Sequence, residues 1–208
     1  MKKVLLLSGI VALFAACSSP SASTEVGDAQ EVADATAESE SFNVNVEESK
    51  VNWKGSKITG DSHTGTINIT SGSFSTAEGA ITAANFELDM TSIASTDGMD
   101  EETTGKLLGH LASPDFFDAA THPTANFAVS TASADSLTGN LTIKGISKSI
   151  TVPYGVEMTE TGATATSSFS IDRAQWDVQY GSSSFFDDLK DKAINDAVEF
   201  TVSLMATK

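Results

Sequence analysis

Three histidines, one cysteine and two copies of Phe-Phe-Asp are the residues that could carry chemistry in this chain of 208 residues. A metal centre or a hydrolytic site would have to draw on His63, His110 and His122, whose spacing fits neither an HExxH helix nor a compact zinc motif. His63 stands two residues before Gly65 on an expected strand, His122 precedes Pro123 in a turn, and His110 lies beside an apolar helical stripe. His110 reads as a hydrogen-bonded structural residue or as a polar contact to a bound head group, since apolar pockets carry a few polar groups that fix orientation. Nucleophilic catalysis has no G-x-S-x-G elbow to use, and the only cysteine, Cys17, is committed to the N-terminus. Asp187, Asp188 and Asp191 lack the spacing of an EF-hand and read as helix-capping acids. In "IDRAQW", Asp172 and Arg173 are neighbours on an expected strand and so face opposite sides, with Arg173 free to stack on an aromatic ring. The aromatic copies are "SPDFFDAA", with Phe116 and Phe117, and "SSSFFDDL", with Phe185 and Phe186. Each adjoins an expected helix, the first after it and the second before it. That opposite order speaks against an internal repeat and for two inserts whose aromatic pairs close the end of a barrel.

The elements that must position these residues begin after a leader. Lys2 and Lys3 precede an apolar run from Val4 to Ala16 that is too short to span a bilayer, which needs roughly 20 apolar residues, so residues 1–16 read as a signal peptide. The run ends in Ala15-Ala16-Cys17, which resembles the lipobox of bacterial lipoproteins although Phe14 stands where an aliphatic residue is usual. Lipidation of Cys17 is one expectation; cleavage further on, near Ser21-Ala22-Ser23, is the other. From Ser18 to Ser41 the chain is small, polar or acidic, with no Lys, Arg or aromatic residue, so 17–41 is expected to be a lipid-bearing cysteine followed by a flexible tether.

Residues 42–208 remain for one domain with a sizeable core. Of twelve basic residues Lys2 and Lys3 leave with the leader, so ten face twenty-eight acids, a net charge of −18. That field excludes nucleic acid and electrostatic adsorption to anionic lipid. Over most of the domain the apolar period is two: Phe86, Leu88 and Met90; Phe127 and Val129; Phe169 and Ile171; Val198, Phe200, Val202 and Leu204. Gly with Asn, Asp or Glu punctuates the runs, giving about eight antiparallel strands with short connections. Two stretches break the period, "DEETTGKLLGHLAS" over 100–113 and "DDLKDKAIND" over 187–196, and both read as short helices. Eight antiparallel strands close into a barrel wide enough for one small ligand, or fold as a sandwich with a filled core. Periodicity does not separate the two.

The blocks "KVNWKGSKITGDSHTGTINITSGSF", "ELDMTSIASTDG", "KLLGHLASPDFFDAATHPTANF", "GNLTIKGISKSITVPY" and "FSIDRAQWDVQYGSSSFFDDLKDKAINDAVEFTVSLMA" resemble, in order, those of YceI-like proteins across nearly all of 42–208. The resemblance implies an all-β, lipocalin-like, eight-stranded antiparallel barrel with two short helical inserts. It also implies a tunnel for a polyisoprenoid or similar amphiphile, such as an isoprenoid quinone or a fatty-acid-type lipid, in the bacterial periplasm. On that basis Phe86, Leu88, Met90, Phe127, Val129, Phe169 and Ile171 are candidate tunnel walls. His110, Phe116, Phe117, Trp176, Tyr180, Phe185 and Phe186 are candidate ligand contacts. No cofactor beyond the bound lipid is expected, and the anchor on Cys17 would hold the protein in the cell envelope, facing the periplasm or the cell surface. The alternatives are a structural barrel with a filled core and, with only scattered histidines for it, a lipid-modifying enzyme.

Overall fold

The computed structural model describes residues 24–35 and 39–208. Cys17 and the expected leader lie outside them. The strands are β1 (Val26–Asp28), β2 (Glu40–Val44), β3 (Lys50–Ser56), β4 (Ser62–Ala77), β5 (Ala80–Ser95), β6 (Thr124–Ala132), β7 (Ser136–Ile143), β8 (Ile146–Pro153), β9 (Gly155–Met158), β10 (Gly162–Asp172) and β11 (Ala197–Thr207). One helix, α1 (Glu101–Ala112), joins β5 to β6. All pairings between strands are antiparallel.

The sheet runs β8-β7-β6-β5-β4, then β2 and β3 side by side in sequence, then β11-β10, with β1 outside β8 and β9 outside β10. β2 and β3 share one place between β4 and β11: β2 pairs with the far ends of both, β3 with the ends nearer α1. Between them Ser49 takes over the ladder, its Oγ donating to Met205 O at 3.3 Å and accepting from Met205 N at 3.0 Å. Counted as one interrupted strand, they bring the count to the eight that the alternation predicts, closed into the barrel that the resemblance implies. β4 and β5, 16 residues each, shift register at three points. Such bulges increase the local bend and twist, which lets long strands coil around a barrel.

Alternation sets the inside and the outside. On β11, Val198, Leu204 and Ala206 are buried and Phe200 and Val202 half-buried, while Glu199, Thr201, Ser203 and Met205 face water. α1 starts where its cap predicts: Asp100 Oδ1 accepts from Thr103 N at 2.9 Å, and Oδ2 from the Thr103 hydroxyl at 2.7 Å. It ends at Ser113, just before Pro114, and buries Leu111. The second expected helix is reduced to a single 3-10 turn, Lys190–Lys192. Asp188 (φ 64°) and Lys190 (φ 48°) take left-handed backbone there, which an α-helix cannot pass through. A further 3-10 turn, Arg173–Trp176, stands where the sequence reading continued a strand, because the Asp172 carboxylate caps it through Ala174 N at 3.0 Å.

Arg173 fastens this end of the barrel. Its side chain is 1% exposed; Nη1 donates to Val178 O at 3.0 Å, Nη2 lies 3.2 Å from Asp196 Oδ1, and Cζ stands 5.3 Å from the Phe116 ring centre. Burial pushes its pKa down, and the Asp196 and Asp172 carboxylates pull it back up. The guanidinium thus ties the 173–178 turn, the 194–196 segment and the first Phe-Phe-Asp copy together.

The N-terminal stretch differs from the expected free tether. β1 adds to the outer edge of β8, pairing Val26 with Ile150 and Asp28 with Lys148. Thr24 N donates to Ser170 O of β10 at 2.8 Å, so the segment bridges the seam between β8 and β10. Beyond it Gln30 N donates to Asn140 Oδ1 and Asn140 Nδ2 returns a bond to Gln30 O, while Ala33 N reaches Val129 O at 2.8 Å. A strand edge presents unpaired N–H and C=O groups. A segment with no apolar face can therefore add to it through backbone bonds alone, which composition does not reveal.

Candidate functional site

The barrel interior holds two adjoining cavities. The inner chamber has a volume of about 130 Å³ and an apolar wall that includes Val51, Ile69, Leu141 and Leu204. Its few polar neighbours are Thr166, Ser167 and Tyr154, and the Tyr154 hydroxyl is already engaged, donating to Ser133 O and accepting from Ile81 N. The second cavity, a vestibule of about 320 Å³, lies at the end where α1 and the 3-10 turns gather, and it is mixed in character. Trp53, Ile93, Leu107 and Leu111 give it an apolar floor; Lys57, Asp61, His63, Lys106, His110 and Tyr180 supply polar groups. Ile67, Phe117 and Phe200 line both cavities and form the partition between them. The chamber alone is smaller than the roughly 300–1,000 Å³ usual for a ligand pocket, whereas the two together fall inside that range.

The candidate residues separate into three groups. Phe86, Leu88, Met90, Phe127 and Phe169 line the inner chamber, with Phe169 stacked on Phe200 at 5.6 Å between ring centres. His110, Phe116 and Tyr180 line the vestibule, and Phe117 lines both cavities. The His110 ring stands 5.0 Å from that of Tyr180, and Phe116 meets Phe117 edge-on at 4.9 Å. Val129, Ile171 and Trp176 line neither cavity: they are 0%, 2% and 0% exposed and belong to the packed core. Alternation puts Val129 and Ile171 on the inward face, and both lie at levels where the barrel is filled. Trp176 spends its indole N–H on Leu141 O at 3.0 Å. Phe185 and Phe186 are 41% and 47% exposed and stand outside both cavities, so only the first Phe-Phe-Asp copy closes the barrel. The second rides on the turn held by Ser182, whose hydroxyl donates to Asp196.

Two residues that the sequence reading passed over help shape the vestibule. Trp53 of β3 lies across Gly65 of β4, where an added Cβ would meet its ring at 2.5 Å and Ala94 O at 1.8 Å. Only glycine leaves room for that indole, whose buried N–H has no hydrogen-bond partner among the described residues. Asp97, just beyond β5, holds His63: its Oδ2 is 2.8 Å from His63 Nδ1. Oδ1 accepts from Thr64 N at 2.8 Å and from the Thr64 hydroxyl at 2.7 Å, and Ser95 Oγ donates to Oδ2 at 3.1 Å. Burial alone would raise the Asp97 pKa; the bonds from Thr64, His63 and Ser95 outweigh it and hold it at about 2. The pairing brings together residues 34 apart in sequence, one from the "GDSHTG" stretch and one from "IASTDG".

Among the described residues no three His, Cys, Asp or Glu side chains are grouped to hold a metal ion, and no helix is long and apolar enough to cross a membrane. A family model, the YceI-like domain, matches residues 42–206. Among solved structures, BcnA from Burkholderia cenocepacia is 25% identical with a TM-score of 0.57, the match covering 79% of this chain and 99% of that one. A polyisoprenoid binding domain from Saccharophagus degradans is 18% identical with a TM-score of 0.61, covering 80% and 97%. No curated protein matches the chain.

Proposed function

The chain belongs to the YceI-like family, and on that premise we propose that its barrel carries one amphiphile with a long apolar chain, an isoprenoid lipid or isoprenoid quinone. The apolar end occupies the inner chamber and the polar end the vestibule. The observation that carries this reading is the juxtaposition of the two cavities: an almost wholly apolar chamber adjoins, across Phe117 and Phe200, a larger space edged with His63, His110 and Tyr180. Burying an alkyl or isoprenyl chain there is favourable by about 25 cal/mol per Å² of apolar surface before ordering costs. A structural barrel has no use for an apolar void, which costs dispersion contacts on every wall. The vestibule offers a His–Asp pair, but among the described residues the hydroxyls beside it, Thr64 and Ser95, donate to Asp97 and not to the imidazole, so binding rather than turnover is the role we assign.

The sequence adds an anchor to the proposal. Lipidation of Cys17 would make the protein a membrane-held carrier or store in the cell envelope, with the apolar chains contributing about 0.8 kcal/mol per buried CH₂. Organic extraction of protein purified from its own organism, followed by mass spectrometry, tests the cargo: one isoprenoid-type lipid per barrel is expected. Stoichiometric protein with no extractable lipid, and no uptake of added lipid, overturns the reading. Cys17→Ser should release the protein from the membrane fraction or stall its processing.

A further inference from the structure

The His63–Asp97 pair has a chemical consequence for which lipid is bound. His63 is on β4 two residues before Gly65 and four before Ile67, on the same inward face, and its ring lines the vestibule. The Asp97 carboxylate is ionised at any ordinary pH, because its pKa is held at about 2. A carboxylate only accepts, so the imidazole nitrogen it faces, Nδ1 at 2.8 Å, must carry the proton. Asp97 cannot swing away to release that constraint, since the Thr64 N–H, the Thr64 hydroxyl and the Ser95 hydroxyl fix both of its oxygens. A neutral His63 is therefore locked with its lone pair on Nε2. Nε2 has no partner among the described residues. The cations nearby are engaged with acids: Lys57 stands 3.8 Å from Asp61 and Lys106 2.6 Å from Glu102. His110 packs its ring on Tyr180.

We propose that His63 Nε2, tautomerically fixed by Asp97, accepts a hydrogen bond from a hydroxyl on the polar end of the ligand, so that the tunnel selects hydroxyl-bearing isoprenoids. This rests on the tunnel reading above and adds the chemistry of its polar end. A ligand that ends in an alcohol, phenol or hydroquinone can donate to Nε2. One that ends in an ether or a quinone carbonyl presents only acceptors, and its oxygen would meet a lone pair. Asp97 acts as the positioning residue. A neutral hydrogen bond of this kind contributes a net 0.5–1.5 kcal/mol, a preference of roughly two- to tenfold.

The probes are geranylgeraniol and its O-methyl ether, which share the isoprenoid chain and differ in the one proton. Each is titrated at pH 8 into the full chain stripped of endogenous lipid, with the intrinsic tryptophan fluorescence as the signal, Trp53 lying in the vestibule floor and Trp176 giving a constant background from the core. The alcohol should bind several-fold more tightly. His63→Phe should erase the difference, so that the ether, one methyl larger, binds as tightly as the alcohol or more so. In Asp97→Asn the amide can donate to Nδ1, which moves the ring proton to Nε2, and the preference should vanish or reverse. Melting curves of both variants check that the barrel is intact, and measurable binding of the ether by the wild type checks the tunnel independently. Equal binding of alcohol and ether to the wild type, or a preference that survives both substitutions, overturns this assignment alone. Failure of both probes to bind overturns it together with the tunnel reading.

Discussion

Ala165→Leu, in the wall of the inner chamber, should stabilise the lipid-free barrel while weakening its hold on lipid. Ala165 is on the inward face of β10, 5% exposed, beside Val51, Ile69 and Leu204, and it borders the chamber. At about 24 cal/mol per Å³, an empty space of about 130 Å³ costs the ligand-free protein about 3 kcal/mol, which is the ceiling on what any filling group can recover. Leucine adds three carbons, each contributing about 0.8 kcal/mol when buried, so its own ceiling is about 2.4 kcal/mol. Imperfect fit should leave a gain of about 1–2 kcal/mol. For a domain of this size that raises Tm by about 2–8 °C. Urea denaturation of lipid-free wild type and variant reads the first half, and lipid content after extraction reads the second, expected to fall at least several-fold. A variant that loses 1–3 kcal/mol, as overpacked cores do, would mean that the chamber is closed in solution. A variant that gains stability yet keeps its full lipid would mean that the cargo lies elsewhere. Either result refutes the reasoning.

Three further expectations follow from the same geometry. Arg173→Met should cost about 3 kcal/mol, measured by denaturation, because it strips the largely buried Asp196 Oδ1 and the carbonyls of Val178, Ile194 and Asn195 of their partner, and Arg173→Lys should not restore the loss since an ammonium cannot reproduce the fork. Asp97 has a folded pKa of about 2, below the ordinary 3.8, so its contribution is complete above about pH 4 and disappears as the pH falls through 2; allowing for solvent screening it amounts to about 1–2 kcal/mol at most, and wild type should lose that much more stability than Asp97→Asn over this window in acid melting curves. The double substitution Phe185→Ser with Phe186→Ser should change stability by less than about 1 kcal/mol and leave lipid content intact, because both rings face water, whereas Phe117→Ser should reduce lipid content by opening the partition.

Much of this architecture was legible because strand periodicity is a statement about faces. Leu88 and Glu87 cannot share a face of β5, and the sequence places each on its side. What periodicity leaves out is depth along the barrel. Val129 and Phe127 alternate identically on β6, yet one is packed in the core and the other borders the empty chamber. The difference arises from how neighbouring strands fill the same level, and no single strand records that. The helix over 101–112 announced itself through Asp100 and Pro114, local signals for a local structure. The 190–192 turn misled because an apolar stripe with acids before lysines is a weak signal over so few residues, where nucleation is already costly. His63 was visible as a residue but not as half of a pair. Its partner comes from the next strand's end, and the function of an imidazole depends on what its other nitrogen meets.

β1 also limits how far the barrel can travel. Had the chain been loose up to Ser41, twenty-four residues beyond Cys17 could have paid out about 80 Å of line at 3.3–3.6 Å each. With Thr24 fastened to Ser170, the barrel flank is only seven residues on from the proposed anchor at Cys17, a leash of about 25 Å at most. Its attachment is two residues from the end of β10 that carries the 3-10 turn and adjoins the vestibule. If Cys17 carries the proposed anchor, a barrel moored so closely, and at that end, would hold its vestibule near the bilayer. An apolar cargo could then change hands over a gap no longer than that leash.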